Sequence, residues 1–244
     1  MSAAQAPGRK LEVCVDDVAG LEAAVEGGAD RIELCSSLEI GGLTPSAGLM
    51  AEAARCGVPV IALIRPRAGG FIYSAAEARQ MQHDIEQAAT LGLAGVAIGA
   101  LDPQDQLDQA LLRRLIAPAR GLQLTLHRAF DLVADRSQAL EQAVALGFDR
   151  ILSSGGAATA PAGSEQLAAL QRQSRDRIVI LAGSGIRPAN VGALLAATGV
   201  REIHASCRVP GESAAPSLLA LGFASAQPML TCAREVATLR ALLN

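Results

Sequence analysis

The stretch ALGFDRILS (145–153) has three echoes elsewhere in the chain: EGGADRIEL (26–34), TLGLAGVAI (90–98) and ATGVREIHA (197–205). In each, a segment of helical spacing stops at glycine, two or three residues follow, and a run rich in Ile or Val begins. Glycine there suits the left-handed C-cap that ends a helix and turns the chain back. Four copies of one joint imply a repeated strand–helix unit. Outward from these joints, eight strand-like runs appear: LEVCVD (11–16), RIELCSS (31–37), PVIALIRPR (59–67), GVAIGAL (95–101), LQLTLHRAF (122–130), RILSSG (150–155), RIVILAGSG (177–185) and REIHASC (201–207). Helical spacing lies between them, as at 75–92, 137–147 and 188–199, and a last helix is expected over 230–244.

Eight units in 244 residues predict one domain of the α/β class, a (β/α)8 TIM barrel with a parallel eight-stranded sheet and a core over 10–208. An open doubly wound sheet would use fewer strands and carry GxGxxG after its first strand, which is absent after LEVCVD. No linker splits the chain. The irregular stretch 209–229 is longer than an ordinary loop. It follows the eighth strand, at the C-terminal mouth of a barrel, and is expected to act as a lid.

Composition narrows the partners. A net charge of −3, a pI near 5.7 and five aromatic residues argue against nucleic acid. No apolar run approaches the roughly 20 residues that span a bilayer. The start, MSAAQAPGRK, lacks the apolar core of a signal peptide, so the expected location is cytoplasmic. Five scattered cysteines (14, 35, 56, 207, 232) do not form a disulfide framework. No nucleotide cofactor is expected, since neither a P-loop nor a dinucleotide-binding turn is present. HxH, HExxH and CxxC are also absent, which removes a closed zinc site.

Strand side chains alternate faces, so the apolar set of each run packs on helices and the other set faces the barrel interior. That parity sends Glu12, Cys14 and Asp16 inward from the first strand and Glu33, Cys35 and Ser37 from the second. It does the same for Arg65 and Arg67, for Thr125 and His127, and for His204 and Ser206. Barrel interiors usually hold Val, Ile and Leu. Buried charges must pair, and the acids are expected to pair with Arg65 and Arg67. So many titratable groups at one mouth point to a binding or catalytic site.

EVCVD (12–16), RIELCS followed by GGLTPS (41–46), IRPR-x-GGF-x-YS (64–74), LHRAFD (126–131), LSSGG (152–156), GSGI (183–186) with Asn190, and EIHASCR (202–208) occur in this order. Together they resemble the CutC family, described as copper-homeostasis proteins built as (β/α)8 barrels, over residues 10 to 208. The resemblance implies Cys14 and Cys35 as copper ligands. Cu(I) is soft and prefers thiolate, and His204 or His127 would complete its sphere. Ser184 stands where the family commonly has glycine and adds a hydroxyl. Cys207 is not a usual family position, and its parity points it toward the helices. Cys56 and Cys232 lie in helical patterns and read as packing residues, and His83 as solvated.

Two functions follow. The first is a copper homeostasis protein that binds Cu(I) in the cytoplasm, with copper ion as its ligand. The second is a barrel enzyme of isomerase or lyase type acting on a small anionic or phosphorylated metabolite. There Glu33 and His127 would be the acid and base, and Arg65 would join them at the reacting centre. Arg65, Arg67 and the turn Gly183, Ser184 and Gly185 would bind the anion. Asp131 would either orient His127 or cap the next helix. No nucleic acid or membrane partner is expected, and a homodimer is.

Overall fold

Eight short parallel strands hydrogen-bond in chain order, and the last pairs back to the first. In the computed structural model, which describes residues 8–244, they are β1 (Lys10–Val15), β2 (Arg31–Leu34), β3 (Val60–Leu63), β4 (Gly95–Ile98), β5 (Gln123–Leu126), β6 (Arg150–Ser153), β7 (Val179–Gly183) and β8 (Glu202–Ala205). Residues 1–7, part of the segment read for a leader, lie outside the described residues. Around the sheet run α1 (Val18–Glu26), α2 (Ala47–Ala53), α3 (Ala75–Thr90), α4 (Gln109–Ile116), α5 (Arg136–Leu146), α6 (Ser164–Ser174) and α7 (Pro188–Thr198). A short helix α8 (Pro216–Ala220) and the last helix α9 (Ala233–Ala241) complete the chain. The fold is a TIM barrel, as the alternation predicts.

The repeated joint works as read at α5 and α7, where Gly147 (φ 84°) and Gly199 (φ 71°) are left-handed caps. After α1 the left-handed residue is Gly28 (φ 83°), one position past the cap Gly27. Two joints also carry an Asp-Arg pair. Asp30 accepts from the Leu11 N–H at 2.8 Å, and Asp149 from the Leu124 N–H at 2.7 Å. Each aspartate thus pins the start of the neighbouring strand, and the arginine that follows turns into the barrel.

The outward set (Leu11, Val13, Val15, Ile32, Leu34, Ile180) is buried against the helices. Each such Leu, Ile or Val contributes about 1.5–3 kcal/mol through burial. The inward set at the barrel floor is ionic. Register places Glu12 beside Arg31 on one side and beside His204 on the other. Arg31 Nε donates to Glu12, and its Nη2 to Glu202 at 2.6 Å. Arg150 Nε lies 3.5 Å from Glu202, and its Nη2 donates to Gln123. The interior acids therefore pair with Arg31, Arg150 and His204, not with Arg65 and Arg67 as expected. Strand register decides this, because Arg31 and Arg150 stand level with the acids while Arg65 and Arg67 lie beyond the end of β3.

Residues 209–229 do not close over the mouth. β9 (Arg208–Pro210) pairs antiparallel with β10 (Met229–Thr231), so the segment is drawn into a ribbon beside the barrel. It exposes Leu221 and Phe223, and none of its residues lines the central cavity. The expected lid is thus an outlying ribbon carrying α8.

The floor makes a mutational prediction. Arg31→Met should cost about 3–5 kcal/mol of unfolding free energy in a urea titration, because Glu12 and Glu202 lose a shared buried partner. A loss below about 1 kcal/mol would mean that packing, not charge, holds the floor.

Candidate functional site

Above the ionic floor, the C-terminal ends of the strands surround a cavity of about 350 Å³. Cys14 from β1, Glu33 from β2 and His204 from β8 form one wall, and Arg65 and His127 line it from beyond β3 and β5. Cys35 follows β2 on the same face as Glu33. It is fully buried behind the wall, packed with Ile61, Leu63 and Ala97. Gly42 covers it closely, since a Cβ there would lie 3.3 Å from the Cys35 sulfur. The structure thus brings Cys14, Glu33, Arg65, His127 and His204 to one opening and sets Cys35 immediately beneath it.

His204 is the hub of the first wall. Its Nδ1 donates to Glu12 Oε1 at 2.8 Å, and its Nε2 faces Glu33 Oε2 at 3.8 Å. Burial alone would favour the neutral ring. The neighbouring Cys14 and Glu33, with hydrogen bonds to Cys14 and Glu12, outweigh it and hold His204 well above the usual imidazole range. Glu12 is also buried, yet Arg31 and His204 keep it down at about 2. Glu33 has the opposite sign: desolvation dominates and raises it, opposed by His204. The Cys35 thiol donates to Glu33 Oε2 at 3.6 Å, and burial, then Glu33, push its pKa well up. Ligand atoms of Glu12, Glu33 and His204 lie within 4.8 Å of one another, the one group of three or more metal-capable side chains so gathered among the described residues.

The opposite wall behaves differently. His127 Nδ1 accepts from the Ala129 N–H at 3.2 Å, so the proton resides on Nε2, which has no partner among the described residues. Desolvation, with Arg65 nearby, drops its pKa to about 3. The ring is therefore neutral near pH 7, with its lone pair taken by the Ala129 N–H and its remaining N–H on Nε2, so in this arrangement it offers a donor. Strand five ends before His127 because the imidazole caps the turn Arg128–Leu132. The Phe71 ring is in contact with both His127 and Arg65, its centroid 5.0 Å from that of the His127 ring and 5.2 Å from the Arg65 guanidinium.

Other expected members are placed elsewhere. Arg67 donates to Glu77 and to the carbonyls of Ala68, Gly70 and Ile72, so it fastens its own loop and does not line the cavity. Gly183 ends β7 below the lining, whereas Ser184 and Gly185 reach it. The Ser184 hydroxyl is spent on the Ala158 carbonyl at 2.9 Å. Asp131 neither orients His127 nor caps α5, whose cap is Asp135. It accepts from Ser153 Oγ (2.6 Å), from the N–H groups of Ser154 and Gly156, and from Arg128, and so ties down the loop after β6. Cys207 packs in the outer core, as its parity suggests, and also reaches the cavity lining. His83 is exposed beside Glu86. Arg31, Arg150, Glu202 and Phe71 are site-supporting residues that sequence reading missed. The first three share the inward parity of their strands, which was the available signal.

The neutral state of His127 gives a pH prediction. Its folded pKa is depressed from 6.5 to about 3, so the unfolded chain takes up the proton first as pH falls, and stability is lost between those values. Comparing wild type with His127→Asn in urea titrations isolates this contribution. From about pH 7 to about pH 4 the stability difference should move by about 3 kcal/mol in favour of the variant. A constant difference would show that the ring is charged or solvated.

Comparison with known proteins gives the same picture at the level of the whole chain. The model of the CutC family matches residues 9–209. A CutC family protein of Sinorhizobium medicae (strain WSM419) is 51% identical over 234 residues, 96% of each chain. One of Caulobacter vibrioides (strain NA1000 / CB15N) is 53% identical over 215 residues, 87% of this chain and 88% of the relative. The crystal structure of CutC from Streptococcus agalactiae superimposes with a TM-score of 0.78 at 32% identity, covering 81% of this chain and 98% of that one. Phosphoribosyl anthranilate isomerase from Thermococcus kodakaraensis (TM-score 0.62, 14% identity, 97% of this chain and 99% of that one) shares the barrel alone. With the motif order, the closed barrel and these matches in agreement, the chain belongs to the CutC family of copper homeostasis proteins.

Proposed function

We propose that this protein binds Cu(I) in the cytoplasm as part of copper homeostasis, with Cys14 and Cys35 as thiolate ligands and His204 as a third donor. The observation that supports this reading most is the placing of two reduced thiols on the inner face of neighbouring strands at one mouth. Cys14 lines the cavity beside His204, and Cys35 follows the end of the next strand, buried outside the lining beneath Gly42. Two thiols and an imidazole are a donor set suited to a soft monovalent ion. The provisional copper-homeostasis name of the Streptococcus agalactiae relative points the same way.

The surroundings give the uptake a proton path. Cys35 is held protonated by burial, so a bound ion must displace that proton. Its thiol already points at Glu33, a carboxyl that lines the cavity and is itself raised in pKa by desolvation. Glu33 would receive that proton, and the Nε2 proton of the protonated His204, 3.8 Å from Glu33 Oε2, would leave by the same carboxyl before the ring could serve as a ligand. Glu12, bonded to His204 Nδ1, fixes the ring so that Nε2 faces the cavity wall, the usual carboxylate support of a ligating imidazole. Among the described residues no helix is long and apolar enough to cross a membrane, and all five cysteines are free.

Cu(I) titration against a strong chromogenic Cu(I) chelator tests the reading. Wild type should retain one ion per chain, and the paired substitution Cys14→Ser, Cys35→Ser should surrender it while keeping its circular dichroism spectrum. Undiminished uptake by the double variant would overturn the thiol pair as the site.

A further inference from the structure

The wall that carries Arg65 and His127 is unfinished in a different way. Arg65, 7% exposed, gives Nη1 to the carbonyls of Ile40 (3.0 Å) and Gly42 (2.9 Å) and Nη2 to that of Gly69 (3.0 Å). Its Nε has no partner, and no carboxylate among the described residues pairs with the guanidinium. His127, 4% exposed, carries its proton on an Nε2 that likewise has no acceptor. A buried donor left without an acceptor is destabilising, and a buried cation without a counter-ion more so. Two such groups line one cavity and contact the same Phe71 ring.

The lining carries more basic than acidic side chains, with Arg128, Arg187 and Arg208 beside Arg65 against Glu33 and Glu235. Arg128 and Arg208 also reach the cavity but are already paired, with Asp131 and Asp16. Arg65 is not paired. Across the cavity, the N–H groups of Gly185 and Ile186 donate to no group among the described residues. A cation is repelled from Arg65, and an apolar ligand would leave both donors unmade. An oxygen anion satisfies them together, because a guanidinium and a neutral imidazole N–H are both donors to it. A volume of about 350 Å³ suits a small molecule.

We propose that the cavity binds the oxyanion of a small organic acid or phosphate ester between Arg65 and His127, as a ligand site additional to the thiol pair. The two sites share one mouth, with Gly42 touching both the Cys35 sulfur and the Arg65 guanidinium and Cys14 on the wall of β1. The site does not depend on copper, because none of its donors is a thiol.

Calorimetric titration of the purified chain, freed of metal by a chelating resin, tests this with two probes, inorganic phosphate and malonate, against chloride at equal ionic strength. Saturable binding of one anion per chain is the expected result. A preference for phosphate assigns a phosphate ester as the natural ligand class, and a preference for malonate a carboxylate. His127→Asn keeps an acceptor for the Ala129 N–H, since Asn makes that local bond readily, but removes the Nε2 donor. It should weaken the preferred anion about tenfold. Arg65→Met should weaken it further, and where its loop fails to fold His127→Asn still decides. Cys14→Ser with Cys35→Ser should leave anion affinity unchanged, so failure of the copper reading is distinguishable from failure of this one. No saturable binding of either anion in the millimolar range, or equal affinity in wild type and His127→Asn, would overturn the proposal.

Discussion

The ionic ladder Glu12–Arg31–Glu202 at the barrel floor is the constraint on which the mouth depends. A closed sheet leaves its inward side chains nowhere else to go, and an unpaired charge at that depth would cost several kcal/mol. Pairing across neighbouring strands resolves this and has a consequence one layer up. Glu12 uses one oxygen on Arg31 and the other on His204, so the floor holds the imidazole in place from below. Glu33 and Cys14 then meet a ring whose orientation is already settled. The fold thus turns a problem of burial into a positioned donor set.

The mouth that results is electrostatically divided. On the side of β1, β2 and β8, acids and thiols surround a protonated imidazole. On the side of β3 and β5, a guanidinium and a neutral imidazole present donors without acceptors. Both histidines are deeply buried, yet their charge states diverge. His204 has carboxylates against it, whereas His127 has only Arg65 and a backbone amide. One residue type therefore serves two roles in the same cavity, set by its neighbours.

Much of this was legible in the sequence, and the boundary of legibility has a physical cause. The glycine-stopped joints and the period-two alternation carried the eight strands, their order and the inward set, because both are local properties of the backbone. Parity correctly put Glu12, Glu33, Cys14 and His204 on one face. It did not say which charge meets which, since register between strands is set by the closing of the whole barrel. Hence Arg31 and Arg150 pair the acids, although the same parity rule turns them inward at the first positions of their strands. Past the strand ends alternation stops applying, and there the readings went astray. Arg67 and Asp131 each turn to their own loops, His127 gives Nδ1 to a capping bond, and 209–229 forms a ribbon away from the mouth. Loop contacts of this kind depend on partners far apart in the chain, and no local pattern records them.

X-ray absorption at the copper edge of the Cu(I)-loaded protein examines the proposed function most directly: that Cys14, Cys35 and His204 close together on one copper ion. This account predicts two sulfur neighbours and one imidazole nitrogen around each copper. A spectrum containing only nitrogen and oxygen neighbours would contradict it.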